Sequence, residues 1–377
     1  MALVATLASR NLLQDRLRFV ATLIGIVFSV VLVMVQMGLY LGFGRMVTTM
    51  IDHAPADLWV VSRGTKSFED LSLLDTQTAN RVRAVAGVAD VIPVVIGFSA
   101  WRLPGGGMTP IFVVGSNIAA GGIAPWNVTA GSVQALSTAG RVAVDKTYFG
   151  RLGVTGIGAK TEIRGLPAEV AAVTDGIRSF TTTPYVFAAL DSARSYIGLP
   201  ADRASHFLLR LKPGAKVEQV RSDIQSALPH VEALTPAQFS ARSRSFWLFS
   251  TGAGAALFAG ALLGVIVGTV IVAQTLYSST KDHLYEFATL RAIGCTKSYI
   301  YTVIILQALI SAVLGFVIAA GMGFAIVAAT AKTSLPIVIT PDLLAALFLL
   351  TVAMCVGSAL AAISRVVRLE PVMVMAR

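Results

Sequence analysis

The chain has 377 residues, 55% of them hydrophobic and only 13% charged, with a mean hydropathy of +0.75. A soluble domain carries roughly 25% charged residues, so the composition excludes an ordinary soluble protein and indicates one that sits in lipid. The formal net charge is +10, but the basic residues are scattered, with no long block and no aromatic-interleaved patch. Nucleic acid is therefore excluded as a partner, and membrane lipids are the expected surroundings.

In chain order, residues 1–18 carry Arg10, Arg16 and Arg18 and are predicted to form a cytoplasmic amphipathic entry helix. Phe19–Phe43 holds no charge and is the first predicted span, over 19–43. A secretory h-region is only about 7–15 residues long and is soon followed by a small-residue cleavage site. This run is longer and ends in GFGRMVTTM, so a retained anchor is expected. Three more uncharged runs follow: Ser245–Thr280, Ser298–Ala331 and Leu343–Ser364. A span needs about 20 apolar residues, so further spans are predicted over 245–277, 301–331 and 343–364. Between and after them lie a loop at 278–300, a short outer loop at 332–342 and a tail at 365–377. Arg10, Arg16 and Arg18, then Lys281, Arg291 and Lys297, then Arg365, Arg368 and Arg377 mark the short segments as cytoplasmic by the positive-inside rule. Both termini are then cytoplasmic and residues 44–244 lie outside. The fold class is a membrane protein of four transmembrane α-helices, one plus three, with a large α+β extracytoplasmic domain between helices 1 and 2.

Within 44–244, short apolar or alternating runs (DLWVVSR, DVIPVVIGF, PIFVVGS, RVAVD, TPYVFAAL, HFLLRL) separated by Gly and Pro clusters read as strands and turns. Asp75–Val85 reads as a helix capped by Asp75. Lys216–Leu228 reads as a second, with Val217, Val220, Ile224 and Leu228 on one face. Jumps in Gly and Pro near Pro104 and Pro184 suggest two lobes. Cys295 falls in the cytoplasmic loop and Cys355 in span four, so this domain is expected to rely on its core rather than on disulfides. Asp57, Glu69, Asp70 and Asp75 read as a solvated face, and His53, His206 and His230 show no metal-ligand spacing. Gly156–Thr161 faintly resembles a phosphate loop, but the P-loop needs a Gly-Lys pair and the chain contains none. No catalytic, metal or cofactor-binding residue is predicted, and the chain is expected not to be an enzyme.

The spans carry no Asp, Glu, Lys, Arg or His, their strongest polar groups being Gln36, Gln274, Gln307 and hydroxyls, which argues against a secondary transporter or cation channel. Span two places Gly252, Ala256, Gly260, Gly264 and Gly268 at every fourth position, a stripe for close helix packing within the chain or for a dimer seam. A continuous helix from Ser245 to Tyr277 would run about 50 Å. With PAQFSARSRSFW ahead of it, it is expected to act as a rigid rod between the outer domain and the cytoplasmic loop.

That loop contains LYEFATLRAIGCTKSYI, in which Leu284, Phe287 and Leu290 share a stripe, Ile293 drifts off it, and Glu286, Arg291 and Lys297 occupy other faces. Gly294 is placed as a C-cap. Such a helix either rests on headgroups or docks into a soluble partner. Glu286–Thr296 resembles the E-I-G-x-[LM]-[RK]-A-[IL]-G-[AM]-[ST] signature of MacB/FtsX-type ABC transporter permeases, with Phe287, Ala288 and Cys295 as departures. Ala8–Leu13 with Leu17, Arg18 and Leu23–Ile26 is similar to that family's entry helix, and Ser364–Val372 to its tail. Asp57–Ser62 is similar to the DevC branch, permeases that work with a periplasmic adaptor.

The resemblance implies a homodimer of permeases in the bacterial inner membrane, bound to two copies of a separate ABC ATPase that carries ATP and Mg. The ATPase would dock on Leu284, Glu286, Phe287, Leu290, Arg291, Ile293 and Gly294. Its motion would reach the outer domain, together with an adaptor (membrane fusion protein) and an outer-membrane channel, for export. Lipoprotein release or control of cell-wall hydrolases within the same family, or a membrane sensor without an ATPase, are the alternatives.

Overall fold

The computed structural model describes residues 16–181, 183–282, 296–330, 333 and 337–366. It forms two compact units: Phe43–Ala253 with Lys332–Leu335, and Met1–Gly42 with Gly254–Ala331 and Pro336–Arg377.

The chain enters through α1 (Arg16–Met46) and a short α2 (Thr49–Asp52). The first unit continues with β1 (Leu58–Ser62), β2 (Leu74–Asp75), α3 (Thr76–Arg83), β3 (Val88–Arg102), β4 (Met108–Ser116), β5 (Val128–Gly131) and β6 (Arg141–Asp145). Then come α4 (Phe149–Leu152), β7 (Lys160–Ile163), β8 (Leu166–Thr174), β9 (Tyr185–Ala189) and α5 (Leu190–Ile197). It closes with β10 (Arg203–Ala204), β11 (His206–Leu211), α6 (Val217–Ala227), β12 (Val231–Leu234) and α7 (Pro236–Ser245), followed by a π-helical turn, Phe246–Ser250. Ten strands make one sheet, ordered β12-β1-β11-β3-β4-β9-β6-β8-β5 with β7 beside β3 and β8. Pairing is antiparallel except for β4–β9 and β6–β8.

Both faces of this sheet are covered, which explains why DLWVVSR is apolar at successive positions. Leu58 and Val60 of β1 join one core with Trp101, Val113, Val144 and the inner sides of α3, α5 and α6. Trp59 and Val61 join the other, with Phe68, Ile96, Phe112, Tyr185 and Phe239. Asp75 caps α3 as expected, accepting from the Thr78 amide at 2.7 Å. In α6, Val220 and Ile224 are buried, and Leu228 after it. The two-lobe expectation is corrected, because the single sheet runs through both supposed boundaries. Pro104 lies in the β3–β4 turn, where Gly106 and Gly107 take positive φ, and the Pro184 carbonyl accepts from Phe112 as β9 starts beside β4. Proline and glycine marked turns there, not a division of the core.

The second unit contains α8 (Ala253–Asp282), α9 (Lys297–Thr330) and α10 (Pro341–Val366) together with α1 up to Gly42. Among the described residues, four helices are long and apolar enough to cross a membrane: Phe19–Met46, Ala253–Thr275, Tyr301–Thr330 and Pro341–Ala361. Glycines let α1 approach both neighbours. A Cβ on Gly260 of α8 would lie 2.8 Å from Gln36, and one on Gly264 3.0 Å from Val33. On α9, a Cβ on Gly315 would collide with Ile26 and one on Gly323 with Met34. Ser358 on α10 donates to the Thr269 carbonyl of α8 at 3.2 Å. The helical path from Ser245 is not continuous. After the π-turn, Gly252 takes φ +77° and α8 begins only at Ala253. A left-handed residue cannot propagate an α-helix, so the expected rigid rod is interrupted.

Candidate functional site

The first unit receives the end of α1 and releases the chain through α7 and the π-turn, and these two strands of polypeptide are bound together. Helix α7 is started firmly by a capping box: Thr235 Oγ1 accepts from the Gln238 amide and Gln238 Oε1 from the Thr235 amide, with Pro236 at the first helical position. Its buried Ser243 donates to the Val47 carbonyl at 3.0 Å, and Ser240 donates to Asp52 Oδ1 at 2.6 Å. Thr48 donates to the other oxygen of Asp52 at 2.7 Å, and Arg244 Nε reaches the Gly44 carbonyl at 3.4 Å. Phe239 is fully buried against Trp59, ring centroids 5.3 Å apart. The result is a collar around the residues that lead into and out of the inserted unit.

The π-turn is closed by the Thr251 amide, which donates to the Phe246 carbonyl five residues back, and by Thr251 Oγ1 donating to the Trp247 carbonyl at 2.5 Å. The extra residue aims Trp247 into the unit. Its ring lies 4.4 Å from Phe180, which in turn meets Phe43 edge-on at 5.5 Å. Its Nε1–H donates to Glu69 Oε2 at 3.2 Å, while Tyr185 on β9 donates to Glu69 Oε1 at the same distance. One carboxyl thus joins the central sheet to the chain leaving it. Burial pushes the Glu69 carboxyl up to about 7, against hydrogen bonds from its own backbone, Trp247, Tyr185 and Ser67 that favour the ionised form.

The segment carrying Glu69 is tied down on both sides. Arg242 on α7 donates to the Thr65 carbonyl at 3.2 Å and pairs with Glu232 on β12 at 2.6 Å, and Glu232 also accepts from the Gly64 amide at 3.0 Å. Burial works to raise the Glu232 carboxyl, but Arg242 and that amide outweigh it and hold the group below its ordinary range. On the other side, buried His206 binds the Phe68 carbonyl through Nε2 at 2.9 Å. A carbonyl only accepts, so that nitrogen carries the proton. Burial pushes His206 down to about 4.

The solvated-face reading of Glu69 is therefore corrected. Asp57 binds the Leu211 amide at 2.8 Å, Asp75 caps α3, and Asp70 folds back on Lys66 and Ser72 of its own segment. Only Glu69 turns into the collar. Its partner Trp247 lies 178 residues away in sequence, and no spacing rule links them. The expected coupling residues Leu284, Glu286, Phe287, Leu290, Arg291, Ile293 and Gly294 lie outside the described residues, as do Ala8–Leu13 and most of the tail. Of the small-residue stripe, Gly260, Gly264 and Gly268 are filled by α1 of the same chain. Ala256 is exposed, and Gly252 belongs to the interruption.

A family model described as MacB-like periplasmic core domain matches residues 19–227, and one described as FtsX-like permease C-terminal matches residues 253–371. The α7 and π-turn part of the collar falls between the two. None of the curated proteins compared with the chain matches it. Among solved structures, the chain is similar to the periplasmic region of MacB from Actinobacillus actinomycetemcomitans, at 10% identity and a TM-score of 0.38, over 51% of this chain and 94% of that one. It is also similar to the extracellular domain of the noncanonic ABC-type transporter YknZ from Gram-positive bacteria, at 11% identity and a TM-score of 0.34, over 48% and 99%. The first family model alone spans more than half of the sequence and the second takes in its last three helices, so the chain belongs to the MacB/FtsX-type permeases of ABC transporters.

Proposed function

We propose that the chain is the membrane-spanning subunit of an ATP-driven exporter and that the collar is where motion reaches its outer domain. A separate ABC ATPase, holding ATP and Mg, docks on Leu284–Gly294. Its closure moves α8, which is covalently continuous with the π-turn through Thr251 and Gly252. The unit works as a homodimer in the bacterial inner membrane with both termini cytoplasmic, and hands substrate to a periplasmic adaptor and an outer-membrane channel. Within this family, the DevC branch is the expected affiliation.

The observation that carries this reading is the binding of α7 and the π-turn to the last turn of α1. Ser243 to Val47 and Arg244 to Gly44 make the two roots move together, while Gly252 leaves a joint just before α8. A joint of this kind turns a tilt or twist of α8 into a displacement of the domain without bending the sheet. Mild-detergent purification from the native membrane, with companions identified by mass spectrometry, tests the reading. A P-loop ATPase in near-equal amount is the expected result. A chain that stays without an ATPase even after crosslinking in the membrane overturns it.

A further inference from the structure

Beside the collar, an open cleft of about 520 Å³ runs between the Gly64–Lys66 segment and the π-turn, within the range of about 300–1,000 Å³ usual for small-ligand sites. Its charged lining is Lys66, Arg242 and Glu232, and its other wall is Ser245, Phe246 and Ser250. Arg242 and Glu232 neutralise each other at 2.6 Å, and Arg242 commits a further donor to the Thr65 carbonyl. Lys66 is the cation left over. Its ammonium lies over the Phe246 ring, 5.5 Å from the centroid, and forms no ion pair among the described residues. Asp70 is turned to the Lys66 amide and to Ser72 and does not line the cleft. The hydroxyls of Ser245 and Ser250 are likewise without a hydrogen-bond partner among the described residues. One unmatched ammonium and two free hydroxyls lining a single cleft are a donor set for an anion.

The chain places this cleft at the membrane boundary. Ser250 precedes the second apolar span, Ala253–Thr275, by three residues. Ser245 follows Arg244, whose Nε reaches the Gly44 carbonyl near the end of the first span, Phe19–Met46. Phe249, next to Ser250, is 68% exposed, as suits an apolar ring at a lipid interface. We propose that the cleft binds the phosphate of an anionic phospholipid from the leaflet facing the inserted unit, with Lys66 supplying the charge and Ser245 and Ser250 the hydrogen bonds. A free phosphate offers the same chemistry, but a headgroup is held at this level by its own acyl chains and so is presented at a far higher effective concentration. The phosphate bridges Lys66 on one segment to both serines on the segment that leaves the unit, so bound lipid draws the two together. The site stands on the spans and the collar and does not rest on the transport reading.

The test uses the full chain, without any ATPase, in nanodiscs of mixed phosphatidylglycerol and phosphatidylcholine at constant ionic strength. Benzoylphenylalanine is incorporated in place of Phe249, and the photocrosslinked lipid is identified by mass spectrometry. Phosphatidylglycerol is expected to be captured about fivefold above its share of the bilayer, the preference one such cation confers. Lys66→Gln brings capture down to that share, and Lys66→Arg, which keeps the charge, retains most of the enrichment. Lys160→Gln makes the same charge change on exposed β7 and leaves the enrichment intact. The double variant Ser245→Ala, Ser250→Ala also lowers it, which attraction to a basic surface alone would not do. Lys66, Ser245 and Ser250 are exposed, so these variants are expected to unfold at the unsubstituted temperature. Capture in proportion to bilayer composition, an equal loss in Lys160→Gln, or unchanged capture in the double serine variant overturns the site. Inorganic phosphate separates the two sources of the anion. It is expected not to reduce capture, and displacement of the lipid by it would make this a free-anion site and overturn the lipid assignment.

Discussion

Ser29 on α1 donates its hydroxyl to the Gly264 carbonyl of α8 at 2.7 Å, and one turn further Gly268 leaves no room for a Cβ beside the same serine. The contact is both a hydrogen bond and a close approach of two backbones. Mean values for interhelical hydrogen bonds in lipid are only about 0.6 kcal/mol, whereas overpacking a tight site costs about 1–3 kcal/mol. Packing therefore dominates. Gly268→Leu is expected to lower the unfolding midpoint in a mixed-micelle titration several times more than Ser29→Ala. The reverse order would show that the hydroxyl, not the close approach, holds α1 to α8.

Stability of the inserted unit should depend on pH through two groups with opposite signs. Glu69 has a raised pKa when folded, so its contribution is full below 4.5 and is lost as pH rises through about 7. His206 has a lowered pKa, so its contribution is full above 6.5 and is lost as pH falls through about 4. Each is worth on the order of 3 kcal/mol at most. Thermal unfolding of the full chain should therefore show greatest stability of this unit in the mildly acidic range. Glu69→Gln should remove the decline at pH 8 and change little at pH 5.

The interruption before α8 depends on Gly252, whose φ of +77° suits glycine. An L-residue there costs roughly 1–2 kcal/mol. Gly252→Ala should lose about that much in local stability by hydrogen exchange of 246–256, while Gly252→Asn, which tolerates the left-handed region, should lose less. Equal losses would mean that the strain is relieved by extending α8 back through the turn.

Two phenylalanines near the same joint should behave oppositely. Phe239 is 0% exposed and packs on Trp59, whereas Phe249 is 68% exposed. Phe239→Ala should cost about 3–5 kcal/mol of the unit's stability, and Phe249→Ala should leave its thermal unfolding unchanged.

What the sequence disclosed depended on how local the cause was. Uncharged runs located the four apolar helices, since span length follows from composition alone. Alternation and two-sided apolar runs located β1, β3, β4 and β11, and Asp75 announced its helix through its own side chain. Pro104 and Pro184 misled because a proline marks a turn whether or not the core divides there. The rod failed at a single residue, Gly252, which in the small-residue stripe looked like a packing position. Glu69 was illegible for a different reason. Its meaning comes from Tyr185 and Trp247, brought together by the sheet and the π-turn across most of the inserted unit.

The most direct measurement of the central claim is hydrogen exchange of residues 246–252 in the permease–ATPase complex, with and without ATP and Mg. The account predicts that trapping the nucleotide-bound state changes protection there, and that a Glu286→Ala, Leu290→Ala variant abolishes the change while still inserting in the membrane. Unchanged protection at the collar when the ATPase closes, or a full change in that double variant, would contradict it.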